Sequence, residues 1–205
     1  MDNTGENVLF IITSLVRPKN TDNSVFTAEE RFQQTIGTIN SIRNKLPQAL
    51  IVVLEASFGE KTLVVFNDVF MFYIHHARID HSSKSVEEAG ILEIFLTSRC
   101  YENLSRNKKY LVCKISGRYE LDQNFDIANL HPNKINYKGI ETVFFAFPSD
   151  TSTTDFILKR LKNVIKENNN LFFKEAPDPV YNDILNLLDV IGVSGCKSTG
   201  RFLTY

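Results

Sequence analysis

The sequence has no tryptophan, only three cysteines and no excess of charge of either sign. Cys100, Cys113 and Cys196 are far apart and form no CxxC motif, which argues against a disulfide framework and a cysteine-type zinc site. Lys and Arg total 23 and Asp and Glu total 24, so the net charge is −1. This balance argues against a protein that binds nucleic acid through bulk positive charge, and we expect no nucleic-acid partner.

Long apolar runs are also missing from the sequence. No stretch approaches the roughly 20 apolar residues of a membrane-spanning helix, so we expect no transmembrane segment. The apolar run at residues 8–16 has no basic region before it and no small-residue cleavage site after it, which makes it a poor signal peptide. We therefore expect a cytoplasmic protein. A chain of 205 residues, 43% of them apolar, is expected to form a single domain over residues 1–205.

Five apolar segments are predicted to form the strands of one sheet. Residues 8–13 form a run typical of a strand that is buried on both faces, as in parallel sheets, and residues 50–54 form a second buried strand. Residues 69–75 and 110–116 are predicted to be the third and fourth strands. Residues 143–147 form a further strand without a clear helix before it, which predicts an antiparallel addition. A last short strand is predicted at residues 190–193, with residues 202–205 as its hairpin partner. The predicted class is α/β with three layers, a mixed and Rossmann-like sheet, a mostly parallel amino-terminal half and helices on both faces.

Capping patterns predict where the helices begin. The predicted starts are Thr27 with Glu30, Ser85 with Glu88, Thr153 or Thr154, and Asp178 with Pro179. In the first helix, apolar residues recur at spacings of three and four, which predicts one buried face made of Phe32, Ile36, Ile39, Ile42 and Leu46.

Polar residues that directly follow the parallel strands are the candidate ligand contacts. In open α/β sheets the ligand binds outside the carboxyl ends of the strands, where the strand order switches. This rule selects Thr13, Ser14 and Arg17 after the first strand, Glu55 after the second, Asp80 and Lys84 after the third, and Ser116, Gly117 and Arg118 after the fourth. No GxGxxG follows the first strand and no GxxxxGK[ST] occurs anywhere, which disfavours Rossmann dehydrogenases and P-loop enzymes.

The segment after the fourth strand, at residues 114–122, is the most informative. Gly117 permits close approach of the backbone to a ligand, and Arg118 can bind phosphate through two parallel hydrogen bonds. Glu120 and Asp122 form an acidic pair with the oxygen ligands that Mg²⁺ and Mn²⁺ prefer. The competing interpretation is a strand-to-turn transition whose arginine pairs with a nearby carboxylate.

Three of these segments together resemble a known family. They are RFQQTIGTINSIRNKLP at residues 31–47, the strand end Glu55-Ala-Ser, and KISGRYEL at residues 114–121. They resemble the nucleotide-sugar-dependent glycosyltransferases of the GT-A fold, above all the small bacterial and large-DNA-virus members. The resemblance implies a donor half over about residues 8–122 and an acceptor half over about residues 123–205. It implies a glycosyltransferase that moves a sugar from a nucleoside diphosphate sugar to a sugar or glycan acceptor, in the cytoplasm of a cell or of an infected host cell.

The sequence departs from this family where the fourth strand ends. Family members usually carry Asp-x-Asp there, and it holds a metal against the donor diphosphate, whereas this chain has Ser116-Gly117-Arg118. One explanation is that Arg118 neutralises the diphosphate directly. The other is that Glu120 and Asp122, or Asp80, hold Mn²⁺ or Mg²⁺. The sequence leaves this choice open and assigns no metal ligands.

For an inverting reaction the resemblance also implies a carboxylate base, and the candidates are Asp122 and Asp150. The missing Asp-x-Asp keeps a second hypothesis open, namely a catalytically silent α/β domain that binds a partner or a glycan. The sequence does not indicate the sugar, the nucleotide, the linkage, the stereochemical outcome or the oligomeric state.

Overall fold

The computed structural model describes residues 7–18, 26–57, 68–106, 108–138, 143–168, 184–186 and 193–195. Strands and helices follow one another in the order β1 (Val8–Ser14), α1 (Ala28–Lys45), β2 (Leu50–Glu55), β3 (Phe70–Tyr73), α2 (Lys84–Leu96), α3 (Arg99–Arg106), β4 (Leu111–Ser116), β5 (Tyr119–Leu121), β6 (Ile135–Lys138), β7 (Phe144–Pro148), α4 (Thr151–Glu167), β8 (Ile184–Asn186) and β9 (Val193–Gly195). In this part of the chain, no helix is long and apolar enough to cross a membrane.

In the described segments, seven strands form one mixed sheet in the order β3-β2-β1-β4-β7-β6-β8. Strands β3, β2, β1 and β4 are parallel, and β7 is antiparallel to both β4 and β6. Strands β5 and β9 pair separately in a small antiparallel sheet. The predicted α/β class, with a mostly parallel amino-terminal part and an antiparallel addition, is therefore confirmed and is Rossmann-like.

Helices cover both faces of the large sheet, as predicted. On one face, α2 and α4 pack against a core that includes Leu9 and Ile11 of β1. On the other face, α1, β5 and β9 pack against a core that includes Phe10 and Ile12 of the same strand. Because alternate residues of a strand point to opposite faces, β1 is apolar throughout and lies between two cores.

Helix α1 begins at the predicted capping box. The backbone N–H of Glu30 donates to the Thr27 hydroxyl at 3.2 Å, and the backbone N–H of Thr27 donates to the Glu30 carboxylate at 2.7 Å. The predicted buried face is only partly correct, since the helix buries Gln34, Thr35, Thr38, Ile39 and Ile42.

The polar part of this buried face contacts β5. The Thr38 hydroxyl donates to the Tyr119 carbonyl at 2.7 Å, and the Leu121 backbone N–H donates to the Ser41 hydroxyl at 3.0 Å. Hydroxyl groups are buried on α1 because they satisfy the backbone of a short strand that lies against the helix.

Two predicted helix starts are wrong. Helix α2 is capped by Ser83, whose hydroxyl accepts from the Val86 backbone N–H at 3.4 Å, and Glu88 therefore forms no capping box with Ser85. Helix α4 is capped by Asp150 rather than by Thr153 or Thr154.

Short elements account for the other differences. Helix α3 and strands β5 and β6 were not predicted. The helix predicted to start at Asp178 was expected to include Ile184, but residues Ile184–Asn186 form strand β8. The last strand, predicted at residues 190–193, is Val193–Gly195. The other residues of the Asp178 helix and the pairing predicted for residues 202–205 lie outside the described residues.

Candidate functional site

The strand order switches between β1 and β4, near the centre of the sheet. From β1 the chain passes through α1 to β2 on one side, and from β3 it passes through α2 and α3 to β4 on the other side. A ligand crevice is expected at such a switch point, outside the carboxyl ends of the strands. The register places Thr13 opposite Ser116 and Ser14 opposite Glu55 at this edge, so four predicted site residues lie together. We call this edge the crevice.

Glu55 is a buried carboxylate that leaves one of its oxygens without a partner. It is 2% exposed, and its Oε1 accepts from the backbone N–H groups of Val16 at 3.2 Å and Ser57 at 3.0 Å and from the Ser57 hydroxyl. Its Oε2, like the hydroxyl of Thr13, is buried without a hydrogen-bond partner among the described residues. Buried polar atoms rarely stay unpaired, so both oxygens are suited to N–H or O–H groups of a ligand.

The Glu88 carboxylate of α2 contacts three polar side chains from the end of β4 and the turn after it. It accepts from Lys114 Nζ at 2.7 Å and from the Ser116 hydroxyl at 3.0 Å, and its Oε1 lies 3.5 Å from a guanidinium nitrogen of Arg118. Lys114 is fully buried, and this burial lowers its pKa while Glu88 opposes the change. Arg118 therefore pairs with a carboxylate, as the competing sequence interpretation expected.

Arg31 of α1 also lies at the crevice, and it was not among the predicted site residues. Its guanidinium donates to the Leu15 carbonyl at 3.2 Å, just beyond the end of β1. Burial and, second, the positive charge of Arg118 lower the pKa of Arg31 to about 10, against the opposing effect of three carboxylates, Glu87, Glu55 and Glu88. The charges of two arginines, one from a helix and one from a turn, thus interact here.

The backbone of Gly117 lies close to Thr13 of β1 and Thr35 of α1. Its backbone N–H donates to the Thr13 carbonyl at 2.9 Å. A Cβ at this position would lie 3.0 Å from the Thr35 hydroxyl and 3.2 Å from the Thr13 carbonyl oxygen. Packing thus gives a reason for glycine at this position, since α1 and β1 both contact the turn after β4. The approach of a ligand to this backbone stays a prediction.

Gly117→Ala is expected to destabilise the protein by about 1–3 kcal/mol, because the added methyl group overpacks this contact. Gly90 of α2 is the matched control, since a Cβ there would meet only side-chain atoms of Ile79 at 3.9 Å. Gly90→Ala is expected to stabilise the protein by about 0.5–1 kcal/mol. Urea denaturation of both variants checks this, and equal stabilities would contradict the packing role of Gly117.

Three other predicted residues lie on segments next to the crevice and are exposed. The backbone N–H of Arg17 donates to the Ser57 hydroxyl at 2.8 Å, which keeps this loop beside Glu55. Lys84 is the first residue of α2, one turn before Glu88. The Asp80 carboxylate accepts from the Ser82 backbone N–H at 2.9 Å, in the turn that leads into α2.

Asp122 lies far from the crevice. Its carboxylate accepts from the Asn124 backbone N–H at 2.8 Å within a turn. In the same turn the Gln123 carbonyl accepts from Lys45, the last residue of α1. Lys45 is about 20 Å from Arg31 along the helix, at 1.5 Å per residue. The structure thus places this predicted base at the opposite end of α1.

Asp150 lies near the start of β4, at the opposite ends of the strands from the crevice. Because β7 is antiparallel to β4, its last residue, Pro148, pairs with Leu111 at the start of β4. The Asp150 carboxylate caps α4, accepting from the Thr153 backbone N–H at 2.9 Å and from the hydroxyls of Ser152 and Thr153. Neither predicted base is therefore brought to the crevice.

Asp150→Ala is expected to cost about 1 kcal/mol of stability through loss of the helix cap, whereas Asp150→Asn should keep most of it. Burial opposes ionisation, but hydrogen bonds from Ser152 and Thr153 outweigh it and lower the pKa of Asp150. The contribution of the ionised cap is therefore present above the ordinary pKa of 3.8 and is lost as the pH falls through the lowered one. Unfolding between about pH 5 and pH 2 measures this, and a pH dependence unchanged in the Asn variant would contradict it.

The residues at the crevice do not fit a divalent metal well. Within the described ranges, no group of three or more His, Cys, Asp or Glu side chains could hold a metal ion. Ser116 and Arg118 stand where the resembling family has its two aspartates. The Glu120 carboxylate lies against Gly37 on α1, so it does not join Asp80 at the crevice.

Comparison with known proteins adds no family. No protein-family model matches the sequence, and no curated protein matches it. Function is therefore inferred from the crevice and from the chemistry of its residues.

Proposed function

We propose that the protein is a glycosyltransferase that binds a nucleoside diphosphate sugar in the crevice and transfers the sugar to a glycan or sugar acceptor. One observation carries the proposal: among the described residues, Glu55 and Thr13 each have a buried oxygen without a hydrogen-bond partner at the switch point of the sheet, where Arg118 follows β4. The resemblance of residues 31–47 and 114–121 to the GT-A family supports it. We further propose that the mixed sheet is a GT-A fold.

The positions of these groups suit the two chemically different parts of a nucleotide. The Glu55 carboxylate accepts hydrogen bonds and the Thr13 hydroxyl can accept or donate one, so they suit the N–H groups of a base or the hydroxyls of a ribose. Arg118 suits the diphosphate, because a guanidinium binds phosphate oxygens through two parallel hydrogen bonds. Glu55 ends β2 and Ser116 ends β4, with β1 between them, so these strand ends are about 10 Å apart. A nucleoside and its phosphates can bridge such a span.

In the proposed reaction the acceptor hydroxyl oxygen forms a bond to the anomeric carbon of the donor sugar. The bond from that carbon to the diphosphate oxygen breaks, and the nucleoside diphosphate leaves with the bonding electron pair. Arg118 stabilises the negative charge that develops on the leaving group. The hydroxyl proton passes to a base, which is not assigned, because Asp122 and Asp150 lie away from the crevice.

A second candidate is a catalytically silent domain that binds a glycan or a partner. The positions of the two aspartates favour it, since a binding domain needs no base at the crevice. Turnover of a bound donor separates the two functions, because only an enzyme hydrolyses the donor or transfers its sugar.

The test is a calorimetric titration of the full chain with UDP-, GDP- and dTDP-sugars, each with and without Mn²⁺, followed by a donor-hydrolysis assay. We expect at least one donor to bind and to be turned over. If no nucleotide sugar binds at millimolar concentration under either condition, the proposal is wrong. Binding without turnover would support the silent domain.

A further inference from the structure

We propose that Arg31 and Arg118 form a two-arginine site that binds the donor diphosphate directly and takes the place of a divalent metal. The inference rests on the proposed function, because the diphosphate belongs to the nucleotide-sugar donor. It adds a binding residue, Arg31, that comes from α1 rather than from a strand end.

The packing of α1 brings Arg31 to the turn that carries Arg118. One helical turn after Arg31, the Thr35 hydroxyl donates to the Arg31 carbonyl at 3.1 Å and lies 3.2 Å from the Ser14 hydroxyl. The same hydroxyl would lie 3.0 Å from a Cβ on Gly117. The first half of α1 therefore packs against the turn after β4, so that the helix carrying Arg31 contacts the turn carrying Arg118.

Both guanidinium groups are oriented by the protein. Arg31 donates to the Leu15 carbonyl at 3.2 Å, and Arg118 lies 3.5 Å from Glu88. A guanidinium has five N–H donors in one plane, which allows one arginine to bind a protein oxygen and a phosphate together. A site whose side chains are already oriented loses less conformational entropy when the ligand binds.

The positive charges of Arg31 and Arg118 favour an anion between them, although three carboxylates act on Arg31 in the opposite direction. Two cations close together repel each other, and both the burial of Arg31 and the charge of Arg118 lower the pKa of Arg31. Glu88 holds Lys114 at 2.7 Å and Arg118 at 3.5 Å, so its contact with Arg118 is the longer one. A diphosphate therefore competes for Arg118 against the weaker of the two ion pairs, while Lys114 keeps Glu88 in place.

The same site explains why the carboxylates of a metal centre are not needed. A metal ion neutralises the diphosphate with positive charge, and two arginines that are protonated at neutral pH supply such charge directly. The part of the chain that the structure describes has no His, Cys, Asp and Glu group suited to a metal, whereas it brings two guanidinium groups to the expected place.

The experiment titrates the full chain with UDP, GDP and dTDP, with the matching nucleosides and with inorganic pyrophosphate, each in EDTA and in Mn²⁺. We expect Arg31→Gln to weaken binding of a nucleoside diphosphate and of pyrophosphate at least about tenfold and to leave nucleoside binding unchanged. Arg31→Lys keeps the positive charge but lacks the planar guanidinium, so it should weaken this binding less than Arg31→Gln. Arg43→Gln is the control, because Arg43 lies on the same helix in an ion pair with Asp68. Thermal unfolding confirms that each variant is folded.

The arms of this experiment separate the inference from the proposed function. If a nucleoside diphosphate binds and Arg31→Gln binds it as the wild type does, the inference is wrong and the proposed function stands. If Mn²⁺ raises wild-type affinity for the diphosphates tenfold or more over EDTA, the proposal that the two arginines take the place of a metal is wrong. If only pyrophosphate binds, in an Arg31-dependent way, the anion site stands and the nucleotide proposal is wrong. If nothing binds, both are wrong.

Discussion

Glu88→Leu is expected to destabilise the protein by about 3–5 kcal/mol, the loss typical of a broken buried ion pair. Lys114 is fully buried beneath Glu88, and without this carboxylate its charge has lost the partner that lies 2.7 Å away. The Ser116 hydroxyl loses its acceptor in the same change. Urea denaturation followed by circular dichroism gives the free energy of unfolding.

A double-mutant cycle shows whether the loss of stability in Glu88→Leu comes from the buried charge of Lys114. Glu88→Leu combined with Lys114→Met replaces the ion pair by apolar side chains of similar size, and such replacements are often neutral or stabilising. The double variant is therefore expected to recover most of the stability lost in Glu88→Leu. Additive losses in the two single variants would contradict a direct coupling between Glu88 and Lys114.

Arg118→Gln is expected to lower the affinity for the donor about 10- to 100-fold, the equivalent of losing hydrogen bonds to a charged group. Its effect on stability should be much smaller than that of Glu88→Leu, because Glu88 keeps Lys114 and Ser116 as partners. Calorimetric titration with the nucleotide sugar that the wild type binds measures the change in affinity.

Arg106→Gln is a suitable control for this variant. Arg106 pairs with Glu102 on the exposed surface of α3, so its loss should change neither stability nor donor affinity measurably. A wild-type affinity in Arg118→Gln would place the diphosphate elsewhere in the protein. A silent binding domain, by contrast, should keep its partner when Arg118 is replaced.

The large strands could be predicted because they are buried on both faces. Residues 8–14 and 50–55 are nearly continuous apolar runs, and a capping box marks the start of the helix between them. Strands β5, β8 and β9 have only three residues each, too few to show a period of two. The polar face of α1 was not predictable either, since its hydroxyl groups bind the backbone of β5, which packs against the helix only in the folded protein.

For the site, the rule about strand ends found the residues that follow parallel strands. It found Glu55 and Arg118. Asp150 was a candidate base through the family resemblance, and it lies at the opposite ends of the strands because β7 is antiparallel to β4, a direction that cannot be read from its sequence. The rule missed Arg31 and the role of Glu88, which lie on helices. One signal was available in the sequence, since Lys114 interrupts a strand buried on both faces and therefore requires a buried carboxylate.

The hydrogen bonds between α1 and the segment after β4 also determine when the crevice can form during folding. Thr38, Ser41 and Lys45 bind backbone groups that lie 81, 80 and 78 residues further along the chain. Contacts of such long sequence separation are slow to form, because closing the long intervening loop costs conformational entropy. Although α1 is synthesised early, its polar face can be satisfied only once β4 and β5 have been made. The crevice, which α1 and β4 build together, is therefore expected to be among the last parts of the protein to assemble.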